Sequence, residues 1–138
     1  MSFAVDPAFE AASRPAAEWP LSHVRLQDDA RFPWLILIPR LPGLREIEDL
    51  SAEDRAVLMQ EILRAGDLIR ALGEQASRPV EKLNVAALGN VTPQLHVHVI
   101  GRRSDDAVWP DPVWGRGAPQ PHGAAELDAA LALISSRG

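Results

Sequence analysis

Cysteine is absent from this chain of 138 residues, and other markers of particular protein classes are also missing. Without cysteine there are no disulfides and no thiolate zinc sites, and nothing points to an oxidising compartment. The stretch 1–7 lacks a basic segment followed by an apolar one, and no apolar run approaches the ~18 residues that span a bilayer. We therefore expect a cytoplasmic protein that is neither exported nor inserted into a membrane.

Basic charge is in short supply, because 14 Lys and Arg face 19 Asp and Glu and leave a net charge of −5. This balance disfavours a protein that binds nucleic acid through its phosphates, although single nucleotides held in a pocket remain possible. The apolar fraction of 46% and the charged fraction of 24% are those of an ordinary globular protein. We expect one domain over residues 1–138, with a core at about 20–103 and a Trp- and Pro-rich tail with a short helix at 104–138.

The segment 94–100, with the sequence QLHVHVI, places two of the four histidines on alternate residues among branched aliphatics. Strict alternation of this kind predicts a β-strand with two different faces. Gln94, His96 and His98 then share one face at a spacing of roughly 7 Å, and Leu95, Val97 and Val99 supply the core from the other.

The rest of the chain predicts a small set of elements around this strand. Ser51 is a natural N-cap for a long helix that we expect to end at Gly73. The turn at Gly89–Pro93 leads from one strand into the histidine strand, which favours an antiparallel hairpin. Further predicted elements are a short helix near Pro7–Ser13 followed by extended chain, strands at Ser22–Leu26, Trp34–Ile38 and Val80–Ala87, and a C-terminal helix at Ala124–Ile134. Together they predict the α+β class with an antiparallel sheet.

Paired histidines on one strand face permit three kinds of chemistry. One imidazole can attack phosphorus while the other orients it or handles a proton, and the backbone N–H groups near Gly89, with the Asn90 amide, can cradle the phosphate. Alternatively, the two imidazoles can bind one metal ion, but zinc then requires a further ligand from His23, His122 or an Asp. A single histidine on a strand is most often structural, although the pairing of His96 with His98 weakens that interpretation.

The segment 94–100, together with Asn84, the GNVTP turn at 89–93 and Arg102, resembles the signature of the histidine triad (HIT) family of nucleotide hydrolases and transferases. The resemblance extends over roughly Ser22 to Arg103. It includes the FPWLILIPR stretch at 32–40 and the long helix that follows. The WPDPVWG tail at 109–115 resembles a bacterial branch described as diadenosine tetraphosphate hydrolases.

This resemblance implies a HIT-like fold, a nucleotide as the small-molecule substrate, a homodimer, and no cofactor or metal. It implies that His96 is the nucleophile that attacks the α-phosphate and forms a covalent nucleotidyl-histidine, and that His98 contacts the phosphate or the leaving group. The nucleotide-binding positions carried over are Asn84, Gly89 and Asn90, with Asp28 as the candidate for the ribose.

Gln94 replaces the first histidine of the family pattern, and Val91 replaces a hydroxyl-bearing phosphate contact. Glutamine can donate or accept a hydrogen bond but cannot carry a proton. The leading hypothesis is therefore a nucleotide hydrolase in which Gln94 preserves the geometry of the site. The alternatives are a nucleotide-binding or regulatory module with little turnover and a zinc hydrolase. Trp109 and Trp114 are expected to pack on the domain or at a subunit interface.

Overall fold

The computed structural model describes residues 2–137, and it contains five strands and three α-helices in a mixed α+β arrangement. In chain order the elements are α1 (Pro7–Ala12), β1 (Ser13–Glu18), β2 (Ser22–Gln27), β3 (Trp34–Pro39), a 3-10 turn (Ile47–Asp49), α2 (Ala52–Gln75), β4 (Lys82–Ala86), β5 (Val97–Arg102) and α3 (Ala124–Arg137). The strands form one sheet in the order β1-β2-β3-β5-β4, in which all neighbours are antiparallel. The predicted fold class and the β4–β5 pairing are confirmed.

Helix α2 begins as the sequence predicts but ends later. The Ser51 hydroxyl accepts a hydrogen bond from the Asp54 backbone N–H at 3.1 Å and caps the first turn. The helix runs through Gly73 to Gln75, so the prediction that Gly73 ends it is wrong. A Cβ at Gly73 would lie 2.8 Å from atoms of Arg78 and Val80, so glycine is used here for close packing of the returning chain and not for a C-cap.

Strand β5 begins at Val97, three residues later than the predicted start at Gln94. The cause is an interaction outside the sheet, because the backbone N–H of Leu95 donates to the carbonyl of Leu44 at 3.0 Å. Residues 94–96 therefore belong to the entry into the strand. The expected core positions are confirmed, since Leu95, Val97 and Val99 are buried in the main hydrophobic cluster.

The two faces of the sheet are covered by different parts of the chain. On one face, α2 and α3 pack over the main cluster, which includes Leu35 and Leu37 of β3. On the other face, the aromatic and aliphatic residues Trp34, Ile36 and Ile100 pack with Phe9 and Val113. We call residues 2–12 the N-terminal arm and residues 103–123 the tail loop. Both cover the face that carries the histidines, because Ile36 pairs with His98 across β3 and β5.

The helices between residues 2 and 137 include none that is both long and apolar enough to cross a lipid bilayer.

Candidate active site

His96 and His98 lie side by side on the arm-covered face of the sheet. Their ring centroids are 4.9 Å apart, and the rings are inclined at 78°. Only 6% of His96 and 7% of His98 is exposed. The structure thus brings together the two histidines that the sequence singled out, in a largely dehydrated setting.

The protonation of His96 is fixed by a main-chain acceptor. Its Nδ1 lies 2.6 Å from the carbonyl oxygen of Gln94, and a carbonyl can only accept, so the imidazole Nδ1–H is the donor. Burial lowers the pKa of His96, although the hydrogen bond to Gln94 acts in the opposite direction. The ring is therefore neutral near pH 7, and its Nε2 carries an unprotonated lone pair.

His98 has the opposite tautomer. The indole Nε1–H of Trp34 donates to Nδ1 of His98 at 3.0 Å, and because an indole nitrogen can only donate, the His98 proton resides on Nε2. Burial, with a smaller contribution from the neighbouring His96, lowers the pKa of His98 to about 3. The pair thus combines a free lone pair on His96 with an N–H donor on His98.

Aromatic rings enclose the histidine pair on both sides. Phe9 of the N-terminal arm lies edge-on to His96 with centroids 4.6 Å apart, and Trp114 of the tail loop lies 5.0 Å from His98. Trp34 contacts both His98 and Trp114. Trp114 therefore packs on its own domain, which was one of the two positions expected from the sequence, the other being a subunit interface.

A cavity of about 460 Å³ opens beside His96. The turn after β4 forms one wall and includes Gly89, whose φ of +76° is a left-handed conformation that glycine adopts without strain. The loop before α2 forms another wall with the charged residues Arg45, Glu46 and Glu48, and α2 itself adds Arg55. Of the predicted site residues, Gly89, Gln94 and His96 line this cavity, which is large enough for a small ligand.

The side chain of Gln94 turns away from His96 and bonds to the N-terminal arm. Its Oε1 accepts from the backbone N–H of Asp6 at 2.8 Å, and its Nε2 donates to the carbonyl of Ala4 at 2.8 Å. The contact between residue 94 and His96 is made by the main chain of Gln94. The orientation of His96 therefore does not depend on the Gln94 side chain directly.

Asn84 lies on strand β4 and is itself held in place. It pairs across the ladder with Ile100, which puts it on the same face as His98, and its Oδ1 accepts from Arg102 at 2.9 Å. Arg102 is 1% exposed and makes two bonds to the carboxylate of Asp106 at 2.7 and 3.1 Å. With its oxygen occupied, Asn84 is oriented to offer its NH₂ group.

Asp28 and Asn90, like Asn84 and His98, lie outside the residues that line the cavity. The Asp28 carboxylate accepts from both the backbone N–H and the ring Nδ1 of His122, at 2.8 and 2.9 Å. These bonds lower the pKa of Asp28. Asn90 and Val91 are exposed on the turn, so a phosphate could contact them only at the rim of the cavity.

Metal binding finds little support in the arrangement of side chains. Within residues 2–137, His, Asp and Glu do not form a group of three or more that could hold a metal ion. The third ligand that the zinc alternative requires is therefore not placed next to the histidine pair. A further cavity, of about 420 Å³, is lined by α2, α3 and Gly101 and contains neither His96 nor His98.

Comparisons with known proteins agree with this geometry. The HIT domain model matches residues 9–105. The chain is similar to the crystal structure of a histidine triad protein from Bradyrhizobium japonicum, with a TM-score of 0.89 and 41% identity over 99% of this chain and 98% of that one. A histidine triad protein from Sinorhizobium meliloti gives 0.90 and 36% over 99% and 97%, and one from Marinobacter aquaeolei gives 0.87 and 35% over 99% and 96%.

No curated protein sequence matches the chain. The family match covers most of the chain, and the structural matches cover nearly all of it at substantial identity. The chain therefore belongs to the HIT domain family, whose members are generally nucleotide-binding hydrolases or transferases.

Proposed function

We propose that this protein is a hydrolase that cleaves at the α-phosphate of a nucleoside phosphoramidate or a dinucleoside polyphosphate through a covalent nucleotidyl-histidine on His96. The observation that supports this most directly is the opposite tautomers of the two rings. The carbonyl of Gln94 engages Nδ1 of His96 and leaves Nε2 as a nucleophile, whereas the Trp34 indole engages Nδ1 of His98 and leaves Nε2–H as a donor.

In the first step, Nε2 of His96 attacks the α-phosphorus. An N–P bond forms, the bond from phosphorus to the leaving group breaks, and its electron pair departs with that group. The His96 ring becomes positively charged, and its Nδ1–H to Gln94 carbonyl bond strengthens as the charge develops. In this proposal, the Nε2–H of His98 donates a hydrogen bond to the phosphoryl or leaving-group oxygen, and Asn84 and the Gly89 turn are the proposed contacts of the phosphate.

In the second step, water attacks phosphorus on the nucleotidyl-histidine. The N–P bond breaks, its electron pair returns to Nε2 of His96, the mononucleotide leaves, and the water proton passes to the product phosphate or to solvent. Splitting the displacement in two lowers each barrier. Every catalytic group in these two steps is a residue of the protein, and the proposal assigns no role to a cofactor.

The test is hydrolysis by the metal-free protein of diadenosine tetraphosphate and of an adenosine phosphoramidate. We expect release of AMP by the wild type, and loss of at least about 10³-fold in His96→Ala, since removing a nucleophile abolishes the covalent route. His122→Asn is the matched control, because it changes a histidine that bonds to Asp28 outside the pair. Undiminished AMP release by His96→Ala would overturn the proposal.

The same assay separates the two alternatives. Tight nucleotide binding without turnover in the wild type favours a binding or regulatory module, in which Gln94 and Val91 have cost the protein its activity. Activity that returns only on addition of zinc favours the zinc hydrolase. Peptide mass mapping should locate an acid-labile nucleotidyl adduct on His96 if His96 is the nucleophile. Neither of the two alternatives predicts such an adduct.

We also propose that two copies associate as a homodimer through the β4 edge of the sheet. Strand β4 has a free edge, and Val85 on it is 50% exposed on the α2 side of the sheet. Met59 and Leu63 of α2 are exposed apolar residues of the same domain. Light scattering should give a molar mass twice that of the chain for the wild type and the mass of a single chain for Val85→Lys. A wild-type protein with the mass of a single chain would contradict the proposal. The single-domain boundaries and the cytoplasmic location remain predictions.

A further inference from the structure

The side chain of Gln94 and the ring of His96 interact with different parts of the molecule. His96 is oriented by the main-chain carbonyl of Gln94, which any residue at that position provides. The Gln94 carboxamide instead pairs with the N-terminal arm, accepting from the N–H of Asp6 and donating to the carbonyl of Ala4, both at 2.8 Å. A carboxamide presents a donor and an acceptor side by side, whereas the two nitrogens of an imidazole point in divergent directions.

The segment of arm between this contact and the sheet is fixed at both ends. Asp6 caps helix α1 by accepting from the N–H of Ala8 at 2.9 Å. At the other end, the hydroxyl of Ser13 donates to the carbonyl of Phe9, and Arg25 donates to that hydroxyl at 2.7 Å. Phe9 is thereby held, 7% exposed, against the ring of His96.

We infer that Gln94 is a positioning residue that acts through the N-terminal arm. Its two hydrogen bonds, which we call the latch, hold residues 4–6 against the site. Phe9 then packs on the His96 ring, restricts the rotation of that ring and excludes water from it. This inference rests on the proposed role of His96 in the reaction, but it assigns to Gln94 a role that neither proton relay nor direct contact with the substrate describes.

A direct test measures the reactivity of His96 without any substrate. Diethyl pyrocarbonate modifies an unprotonated imidazole nitrogen, so its rate at His96, followed by peptide mass mapping, reports access to Nε2. Loss of two hydrogen bonds of ordinary net strength should raise that rate roughly tenfold in Gln94→Ala. Gln94→Leu, which keeps the volume but not the hydrogen bonds, should raise it equally, while the rate at His122 serves as an internal reference.

A double-mutant cycle tests whether Gln94 acts through the arm. The second change is deletion of residues 2–6, which removes both hydrogen-bonding partners of Gln94 but keeps Phe9 in the sequence. If the latch is the role of Gln94, the deletion and Gln94→Ala each raise the His96 modification rate, and their combination raises it no further than the deletion alone. Additive effects would overturn the inference, as would unchanged modification in both Gln94→Ala and Gln94→Leu.

Kinetics of hydrolysis supply the second readout. A less restrained nucleophile should lower kcat roughly tenfold with less than about a twofold change in KM, because the loss affects the orientation of His96 and not the binding of the nucleotide. In the deletion background, Gln94→Ala should leave kcat unchanged. A protein that modifies as expected but hydrolyses nothing would refute the proposed function and leave the latch standing.

Discussion

Trp34→Phe removes the indole N–H that donates to His98 and keeps an aromatic ring at the same position. Both residues are buried and the bond is 3.0 Å long, so Nδ1 of His98 would lose its partner without access to water. An unsatisfied buried acceptor costs about 1–3 kcal/mol, and the smaller ring costs roughly 1 kcal/mol more in lost burial. The expected loss in free energy of unfolding is therefore about 2–4 kcal/mol.

The variant should still be folded in the absence of denaturant, since domains of this size are stable by about 5–15 kcal/mol. In urea titrations with a slope of about 2 kcal/mol per M, the midpoint should fall by roughly 1–2 M with the slope unchanged. Trp114→Phe is the matched control, because it alters a ring contact to the same histidine at 5.0 Å and leaves the Trp34 bond in place.

The same variant should change the tautomer of His98. In the wild type, nitrogen-15 spectra should report an unprotonated Nδ1 and a protonated Nε2, whereas Trp34→Phe should populate both neutral tautomers. Because the proposed reaction uses the Nε2–H donor, kcat should fall by 10- to 100-fold. A single unchanged tautomer in Trp34→Phe, with a urea midpoint equal to that of Trp114→Phe, would refute the assignment of the pair.

Two further predictions concern charge. Burial lowers the pKa of His98 to about 3, so below pH 6.5 the unfolded chain binds a proton at this residue more readily than the folded protein does. The free energy of unfolding should therefore fall on acidification. The fall should be steeper in the wild type than in His98→Gln, by up to about 1.4 kcal/mol per pH unit. Parallel curves in urea titrations from pH 6.5 to 4.5 would contradict this. Arg102→Met strands the buried Asp106 carboxylate and should cost about 3–5 kcal/mol, measured in urea. Arg103→Met, at a partly exposed pair with Asp105, should leave the midpoint unchanged, and equal losses in both variants would contradict the prediction.

Local sequence rules predicted most elements of the fold, although β1 was expected only as extended chain. The spacing of apolar residues and the Ser51 cap predicted α2, and alternation predicted β5. The ends of both elements depended on tertiary contacts. Gly73 lies inside α2 because the chain returns against it, and residues 94–96 leave the sheet because Leu95 bonds to Leu44. Neither contact has a signal within the segment that it changes.

The candidate site could be predicted in its reactive pair but not in what surrounds it. His96 and His98 were recognisable from their alternation, whereas the roles of Phe9 and Trp34 depend on strand register and on the path of the arm. Gln94 meets its partners Asp6 and Ala4 across 88 and 90 residues of chain. Arg102 lies at the end of strand β5 and is buried, and local sequence rules gave no sign of that burial.

The presence of glutamine at position 94 also bears on which leaving group the proposed reaction favours. His98 keeps its one proton on Nε2 and has a pKa of about 3, so it can donate a hydrogen bond but has no second proton to give up, and Gln94 has none to supply. A polyphosphate leaves as an anion and needs only the hydrogen bond, whereas an amine leaves well only when it is protonated. On this reasoning kcat/KM should be higher for diadenosine tetraphosphate than for an adenosine phosphoramidate of an aliphatic amine. Gln94→His should narrow the ratio of the two kcat/KM values if the new imidazole can deliver a proton. A wild-type preference for the phosphoramidate would contradict this reasoning, because a proton would then reach the leaving group by a route that does not involve residue 94 or His98.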